Sequence, residues 1–247
     1  QFLATIESIA TGTPDSIVPQ SEAAKVVESL PGLNQNRHRI EKLYSNTRIE
    51  TRRLAANLLL DETLAHMQNA TIQDRMQMFK QHAVPLAEKV TRKAIESAAK
   101  KTNNIKDAIR QLVFVSSTGF IAPGVDTELI KRLGLRRDIA RVTVNFMGCA
   151  AAMNGLRVAS DYVKAHPTHK ALVVCLEISS VNAVFEDEIN DVIIHSIFGD
   201  GCAAVVVGAC DAAAIGPNQV VIRDHLSYLV EDTEDGITLG VQDKGIT

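Results

Sequence analysis

The sequence predicts an α/β fold in which helices cover both faces of a largely buried sheet. Two kinds of periodicity alternate along the chain, and the β-type runs "QLVFVSS" and "KALVVCLEI" are almost continuously apolar. Such runs are typical of strands that are buried on both faces. In addition, a single cysteine stands where a β-branched strand, "RVTVNF", turns into an alanine-rich helix. Alternating strands and helices with buried strands indicate the α/β class.

Composition narrows the classes of protein that the chain can represent. Its 247 residues are 46% hydrophobic and 22% charged, enough for one large globular domain. A formal net charge of −3, 4% aromatic residues and no Trp argue against a nucleic-acid partner. The four cysteines include no CxxC pair, so no metal site is expected. Without a signal peptide or a bilayer-length apolar run, we expect a cytoplasmic protein with no membrane span and a trimmed N-terminus.

The first hundred residues predict one strand followed by helices. "FLATIESIATG" is the opening strand, and Ser21 is placed to cap the helix "EAAKVVESL", which Pro31 ends. The basic run "QNRHRIEKLYSNTRIETRRL" has helical apolar spacing, and such a charge run is usually the solvated face of a helix. Helical periodicity then covers residues 71–101, where Pro85 predicts the start of a second helix.

The remaining sequence alternates strands and helices and then becomes strand-like. "QLVFVSS", "RVTVNF" and "KALVVCLEI" predict strands, separated by helices over "DTELIKRLGL" and residues 150–166. "CAAVVVGA", "QVVIRDHLSYLV" and "GITLGVQ" follow as further strands. Because no helix follows to cover the last strands, we predict an N-terminal half over residues 1–215 and the incomplete beginning of a second half over residues 216–247.

Cys149 is the strongest candidate for chemistry. It precedes a predicted helix, where unpaired backbone N–H groups and the helix dipole stabilise a thiolate. Cysteine is also a small hydrophobic residue that is common in protein cores, so this position alone leaves both interpretations open. The other three cysteines, Cys175, Cys202 and Cys210, lie in apolar runs and are expected to be less reactive.

Two loops and one histidine are weaker candidates. "SSTGFIAPG", residues 116–124, follows a strand and is rich in hydroxyl groups and glycine, but it also fits an ordinary turn. "FGDGCAA", residues 198–204, is most often a tight turn before a strand. His195 has no diagnostic spacing from Cys149, and a lone histidine in an apolar run is more often a packed core residue.

Taken together, these stretches resemble a known family. "RVTVNFMGCAAAMNGLRVA", "ALVVCLEISSVNAVF", "SSTGFIAPGVDTELIKRLGL" and "HSIFGDGCAAVVVGA" resemble the type III polyketide synthases, the chalcone synthase-like family, in order and spacing over nearly the whole chain. "MGCAAAMNGL" and "EINDVIIHSIFGDG" are closer to bacterial, fungal and algal members than to plant enzymes. The resemblance implies a thiolase-like αβαβα layered fold.

The resemblance also implies roles for particular residues. Cys149 would be the nucleophile that carries the growing chain as a thioester. Phe198 would be the gatekeeper between the coenzyme A tunnel and the cavity. Leu239 falls where plant chalcone synthases have a cavity glycine and would narrow the cavity. The other implied residues would line the initiation cavity or bind coenzyme A phosphates: Ser117, Thr118 and Asn182 in the cavity, Arg39 and Lys42 on the phosphates.

The implied activity is an acyltransferase that condenses a coenzyme A-linked starter with malonyl-CoA by decarboxylative Claisen chemistry, without a cofactor and as a homodimer. The family completes its site with a His and an Asn from the second half of the fold, and no residue of this chain matches their motifs. We therefore expect the chain by itself to be inactive. Two alternatives stay open: a condensing enzyme like ketoacyl-ACP synthase III, and a non-catalytic fragment with the thiolase fold.

Overall fold

The computed structural model describes residues 1–246 and confirms the α/β class. The strands are β1 (Phe2–Gly12), β2 (Ile17–Pro19), β3 (Thr51–Arg53), β4 (Ile109–Ser116), β5 (Ala140–Asn145), β6 (Lys170–Ile178), β7 (Asp200–Asp211), β8 (Val220–Ile222), β9 (Val241–Gln242) and β10 (Gly245–Ile246). The α-helices are α1 (Gln20–Ser29), α2 (Arg37–Asn46), α3 (Asp61–Asn69), α4 (Ile72–Ala99), α5 (Ile105–Ala108), α6 (Val125–Leu133), α7 (Ala151–Ala165) and α8 (Ile189–Ile197). Among the helices of residues 1–246, none is both long and apolar enough to cross a bilayer.

The chain forms two compact units that each use several stretches of sequence. The first unit comprises Gln1–Gly12, Ala83–Leu176 and Cys202–Leu229. The second unit comprises Thr13–His82, Glu177–Gly201 and Val230–Thr247, of which residues up to 246 are described.

The first unit contains a mixed six-stranded sheet in the order β5-β4-β6-β7-β1-β8. Strand β4 pairs in parallel with both β5 and β6, whereas β1 pairs antiparallel with β7 and β8. Parallel neighbours end at the same edge of a sheet, so the loops that follow β4 and β5 begin side by side. Cys149 follows β5 at this edge.

A bulge in β1 turns Glu7 towards a partner on the far side of β7. The register between β1 and β7 shifts between Ile6 and Ser8, and the Glu7 carboxylate forms an ion pair with the Lys170 ammonium of β6. Gly208 of β7 lies beneath the pair, since a Cβ there would be 1.9 Å from Glu7 Oε1. The glycine therefore makes space for an ion pair that crosses a whole strand.

Helix α7 packs on the sheet through small residues. Its buried positions include Ala151, Gly155, Ala159 and Val163, which recur every four residues and form one face. A Cβ on Gly155 would lie 2.8 Å from Val115 Cγ2. Met153 of the same helix lies outside this face, with 58% of its surface exposed. The helix uses small residues because it lies very close to β4.

Two helix boundaries differ from the sequence prediction. Pro85 lies inside the continuous helix α4 rather than at the start of a second helix. Packing of the buried residues Ala83, Ala87 and Val90 on the same helix stabilises this stretch despite the missing N–H group of proline. Ser21 lies inside α1 and does not cap it, because Pro19 is the N-cap residue and the Gln20 N–H already donates to Glu50 O.

The second unit has short strands and a separate apolar core. Strands β2 and β3 form an antiparallel pair, and the core is built from α1, α2, α8 and the segments between them. Members of this core are Val18, Ala23, Ala24, Val27, Leu30, Leu33, Ile40, Tyr44, Leu54, Leu58 and Val192.

The predicted long strands near the end of the chain are mostly wrong. Within "QVVIRDHLSYLV" only β8 forms, and it pairs with β1 over three residues. Within "GITLGVQ" only the two residues of β9 pair, with β10. Leu226, Tyr228 and Leu229 are 93%, 76% and 82% exposed. An alternating apolar pattern gives a strand only where a neighbouring strand supplies backbone partners.

Candidate active site

Cys149 lies in a sharp turn between β5 and α7. The strand ends at Asn145, Phe146 and Gly148 have positive φ angles of 55° and 82°, and Ala150 is the N-cap residue of the helix. Gly148 suits this conformation because it has no Cβ. The structure therefore confirms that Cys149 directly precedes a helix N-terminus, and its side chain is exposed.

The loop after β4 lies beside this turn. The Phe146 N–H donates to Ser116 O at 3.3 Å, and the Phe120 and Phe146 rings are 5.7 Å apart. Ser117 and Thr118, both partly buried, follow directly on Ser116. Parallel pairing of β4 with β5 thus brings Ser117 and Thr118 to the same sheet edge as Cys149.

The cysteines differ in how far they are buried. Cys202 is buried, and burial raises the pKa of its thiol to about 12. Cys149 is exposed at the start of a fifteen-residue helix, where a reagent can reach its sulfur. Among the four cysteines, Cys149 is the one that is exposed.

Phe198 lies in the second unit at the carboxyl end of α8, with 39% of its surface exposed. A buried arginine binds the backbone at this end. Arg52 Nη1 donates to Phe198 O at 2.9 Å and to His195 O at 2.5 Å, and Arg52 Nε donates to Gln20 Oε1 at 2.8 Å. The last carbonyls of a helix have no partner within it, so Arg52 satisfies groups that would otherwise be left unpaired.

Asp200 is buried and accepts hydrogen bonds from two other segments. Ser180 N and Ser180 Oγ donate to it at 2.9 and 2.5 Å, and Ala55 N donates at 2.7 Å. Burial raises the pKa of this carboxyl, and the bonds from Ser180 and Ala55 oppose the rise. The "FGDG" stretch is thus not a tight turn, because β7 already begins at Asp200.

Asn182 is the buried last residue of a short 3-10 helix, Ser179–Asn182. The carbonyls of Val181 and Ala183 on either side accept bonds of 3.0 and 2.8 Å from Nη1 of the buried Arg75. Arg75 also donates to the carbonyls of Met67 and Lys244. In sequence, Asn182 lies two residues after Ser180 and Phe198 lies two residues before Asp200, so both are close to the Ser180–Asp200 hydrogen bond.

His195 is a packed residue, as the sequence analysis expected. Its Nε2 lies 3.0 Å from Val184 N and 2.7 Å from Val184 O, and its ring lies against Phe185. Burial lowers the pKa of His195 to about 4. The ring is neutral at physiological pH.

The remaining candidates are on the surface of the second unit. Arg39 and Lys42 lie on the exposed face of α2, opposite the buried Ile40 and Tyr44. This confirms a solvated basic face. Leu239 lies in irregular chain before β9 and is 46% exposed. The candidates thus divide between the units, with Cys149, Ser117 and Thr118 in the first and the others in the second.

In the second unit, the sequence analysis missed three buried charged residues: Arg52, Arg75 and Asp200. Only Asp200 carried a signal, because it stands between two glycines at the start of an apolar strand. Arg52 and Arg75 lie within polar stretches that resemble the many exposed basic residues around them. Most of their partners are backbone carbonyls distant in sequence, which no local pattern encodes.

An α/β sheet with an exposed cysteine at the start of a helix packed on it is the arrangement of the thiolase-fold proteins. The family described as chalcone and stilbene synthases, N-terminal domain, matches residues 1–211. The chain belongs to this family, the type III polyketide synthases.

Individual relatives agree with this assignment. The chain is 52% identical over 250 residues to an alpha-pyrone synthesis polyketide synthase-like protein, Pks18, of Mycobacterium tuberculosis, covering 99% of this chain and 62% of the relative. The crystal structure of PKS-I from the brown alga Ectocarpus siliculosus superposes with a TM-score of 0.91 at 40% identity, covering 100% of this chain and 67% of that one. The C-terminal type III polyketide synthase domain of Steely1 from Dictyostelium superposes with a TM-score of 0.84 at 26% identity, covering 99% of this chain and 67% of that one. The chain thus spans about 62% of the length of the curated relative.

Proposed function

We propose that the protein condenses a coenzyme A-linked starter with malonyl-CoA through a thioester on Cys149. The observation that carries this proposal is the exposed Cys149 at the start of α7, in a chain whose residues 1–211 match the family. The matched region coincides closely with the predicted N-terminal half, residues 1–215, and we propose that residues 216–247 belong to the second half of the fold.

In the first step the Cys149 thiolate attacks the carbonyl carbon of the starter thioester. A carbon–sulfur bond forms to Cys149, the bond to the coenzyme A sulfur breaks, and the released thiolate takes up a proton. Malonyl-CoA then loses carbon dioxide, and the resulting carbanion attacks the acyl carbonyl on Cys149. The Cys149 thiolate leaves, and the chain has grown by two carbons.

The other candidates have supporting roles in this proposal. Phe198, Ser117, Thr118, Asn182 and Leu239 shape the space for the acyl chain, and Arg39 and Lys42 bind the phosphates of coenzyme A. A His and an Asn outside this chain complete the site, so the 247 residues alone are inactive. The protein acts as a homodimer in the cytoplasm without a cofactor. The 52% identical relative is named for alpha-pyrone synthesis, and we propose pyrones as products here as well.

Mass spectrometry tests the proposal directly. The protein expressed from its complete coding sequence is incubated with acyl-CoA starters and malonyl-CoA, and peptides and products are analysed. We expect an acyl adduct on Cys149 and pyrone products, and Cys149→Ala to lower turnover by at least about a thousandfold.

Cys210→Ala is the matched control, because it removes a partly exposed thiol outside the proposed site and should retain activity. Acylation at a different cysteine, or turnover only with carrier-protein thioesters, would contradict the proposal. Iodoacetamide at sub-stoichiometric concentration should also modify Cys149 first.

A further inference from the structure

The 3-10 helix that contains Asn182 is bound from both ends by buried charges. Ser180 N–H, near its start, donates to the Asp200 carboxylate, and the carbonyls of Val181 and Ala183 accept from the Arg75 guanidinium. A helix of four residues has too few internal hydrogen bonds to be stable alone. Hydrogen bonds to charged groups are the stronger kind, so these contacts fix the backbone on either side of Asn182.

The Ser180 hydroxyl extends this contact to a third segment. It donates to Asp200 Oδ2 at 2.5 Å and accepts from Ala56 N at 2.9 Å. Asp200 accepts in turn from the neighbouring Ala55 N. Ser180 is 9% exposed and Asp200 is 5% exposed, so water competes little for these groups. One hydroxyl and one carboxylate therefore join the segment at 55–56, the 3-10 helix and the start of β7.

We propose that Ser180, through its contact with Asp200, is a positioning residue that sets the separation of Asn182 and Phe198 and thereby the lengths of acyl chain that the protein accepts. This inference rests on the proposed roles of Asn182 and Phe198 in the cavity. Both residues are two positions from the contact, Asn182 after Ser180 and Phe198 before Asp200. Phe198 is fixed on its other side by the bond from Arg52 to its carbonyl.

If this is correct, a change at Ser180 should alter the preference for acyl-chain length while Cys149 stays in place. Removal of the Ser180 hydroxyl leaves Ala56 N–H without its acceptor and Asp200 without one donor, while the bonds from Ser180 N and Ala55 N are retained. The fold should survive this change, but the 3-10 helix can shift relative to β7. Acylation of Cys149 by a short starter should continue, since neither group contacts it.

The kinetic test compares Ser180→Ala, Ser180→Thr and Ser196→Ala in the protein expressed from its complete coding sequence. Ser196 is the matched control: it is 2% exposed and close to Phe198 in sequence, but its hydroxyl donates only to Ile193 O within its own helix. We expect Ser180→Ala to change the ratio of kcat/KM between long and short acyl-CoA starters by about fivefold or more, the scale of one lost hydrogen bond. Ser180→Thr, which keeps the hydroxyl, should restore the ratio. The inference is overturned if Ser180→Ala lowers the melting temperature yet leaves the ratio equal to that of Ser196→Ala.

A second readout does not depend on the proposed function. The 247 residues contain no Trp, so Phe198→Trp adds a fluorescent reporter at the gatekeeper position. The same protein without the reporter provides the background to subtract. Added to this reporter, Ser180→Ala should increase acrylamide quenching by about twofold and Ser196→Ala should not, because a looser segment exposes its side chain more. Equal quenching in the Ser180→Ala and Ser196→Ala variants overturns the positioning role, even if the protein makes no polyketide. A difference in quenching without any turnover counts only against the proposed function.

Discussion

The two units differ in how they accommodate charged groups that are buried or partly buried. In the first unit, charged side chains pair with each other: Asp126 with Arg141 at 2.6 Å, and Glu7 with Lys170. In the second unit, Arg52, Arg75 and Asp200 bond largely to backbone N–H and C=O groups. An ion pair between side chains can often be replaced by apolar groups at little cost, whereas a charge bonded to backbone fixes the path of a particular loop.

The largest expected effect is the loss of Arg75. Arg75→Leu leaves the carbonyls of Met67, Val181, Ala183 and Lys244 without their donor, and each unsatisfied buried group costs about 1–3 kcal/mol. We expect the free energy of unfolding to fall by about 4 kcal/mol or more, measured by urea denaturation.

Arg75→Lys should recover only part of this loss, because an ammonium has three donors and lacks the planar fork of the guanidinium. Arg53→Leu is the control. Arg53 follows Arg52 in β3, and its guanidinium donates to the exposed carbonyl of Asp15. Equal losses for Arg75→Leu and Arg53→Leu would show that the bonds from the buried Arg75 to backbone carbonyls contribute no more than those of a more exposed arginine.

The second prediction concerns acid and the neutral His195 of the second unit. Above pH 6.5 the ring is neutral in both folded and unfolded chains, so His195 has no effect on the pH dependence. Between pH 6.5 and about 4 the unfolded chain takes up a proton on His195 that the folded chain does not. The free energy of unfolding therefore decreases as the pH is lowered through this range, by at most about 3 kcal/mol.

His195→Gln keeps a donor and an acceptor for Val184 but cannot titrate, so its stability should fall less over the same pH range. Urea denaturation at pH 7 and pH 4.5 measures the difference. Parallel loss in the wild type and in His195→Gln would show that other groups cause the acid sensitivity.

The third prediction tests the ion pair of the first unit. Gly208→Ala places a methyl group where the Glu7 carboxylate lies, so the pair with Lys170 must separate, and we expect a loss of about 2 kcal/mol by thermal denaturation. In a Glu7→Ala background the same substitution should cost less than about 1 kcal/mol, because the carboxylate is gone and the flexible end of Lys170, 2.6 Å from the new Cβ, can move away. Additive effects of the two substitutions would show that Gly208 is needed for another reason.

The smallest expected effect on stability is that of Leu239→Gly. Leu239 is 46% exposed, so its replacement should cost about 1 kcal/mol or less, mostly through the added backbone freedom of glycine. If Leu239 narrows the cavity as proposed, the variant should accept bulkier starters in competition assays read by mass spectrometry. An unchanged product distribution in a variant with a wild-type melting curve would refute the cavity role.

The sequence predicted the first unit better than the second. Strands β4, β5 and β6 and helix α7 have strong local periodicity, and Cys149 could be placed because its environment depends on a few adjacent residues. The 3-10 helix at Asn182 and the bonds of Asp200 depend on backbone groups more than a hundred positions away, such as Ala55. Periodicity also overestimated the strands after residue 220, because a strand needs partners that the pattern does not reveal.

The close approach of α7 to the sheet has a consequence for how related sequences diverge. A side chain larger than hydrogen at Gly155 would meet Val115 Cγ2 and push the helix outward, and Cys149 at its start would move as well. Among homologues, we therefore expect positions 155 and 115 to covary, with a larger residue at one accompanied by a smaller residue at the other. Such compensated pairs would keep the Cys149 sulfur at a constant height above the strand ends, so two residues outside its turn would preserve the position of the cysteine.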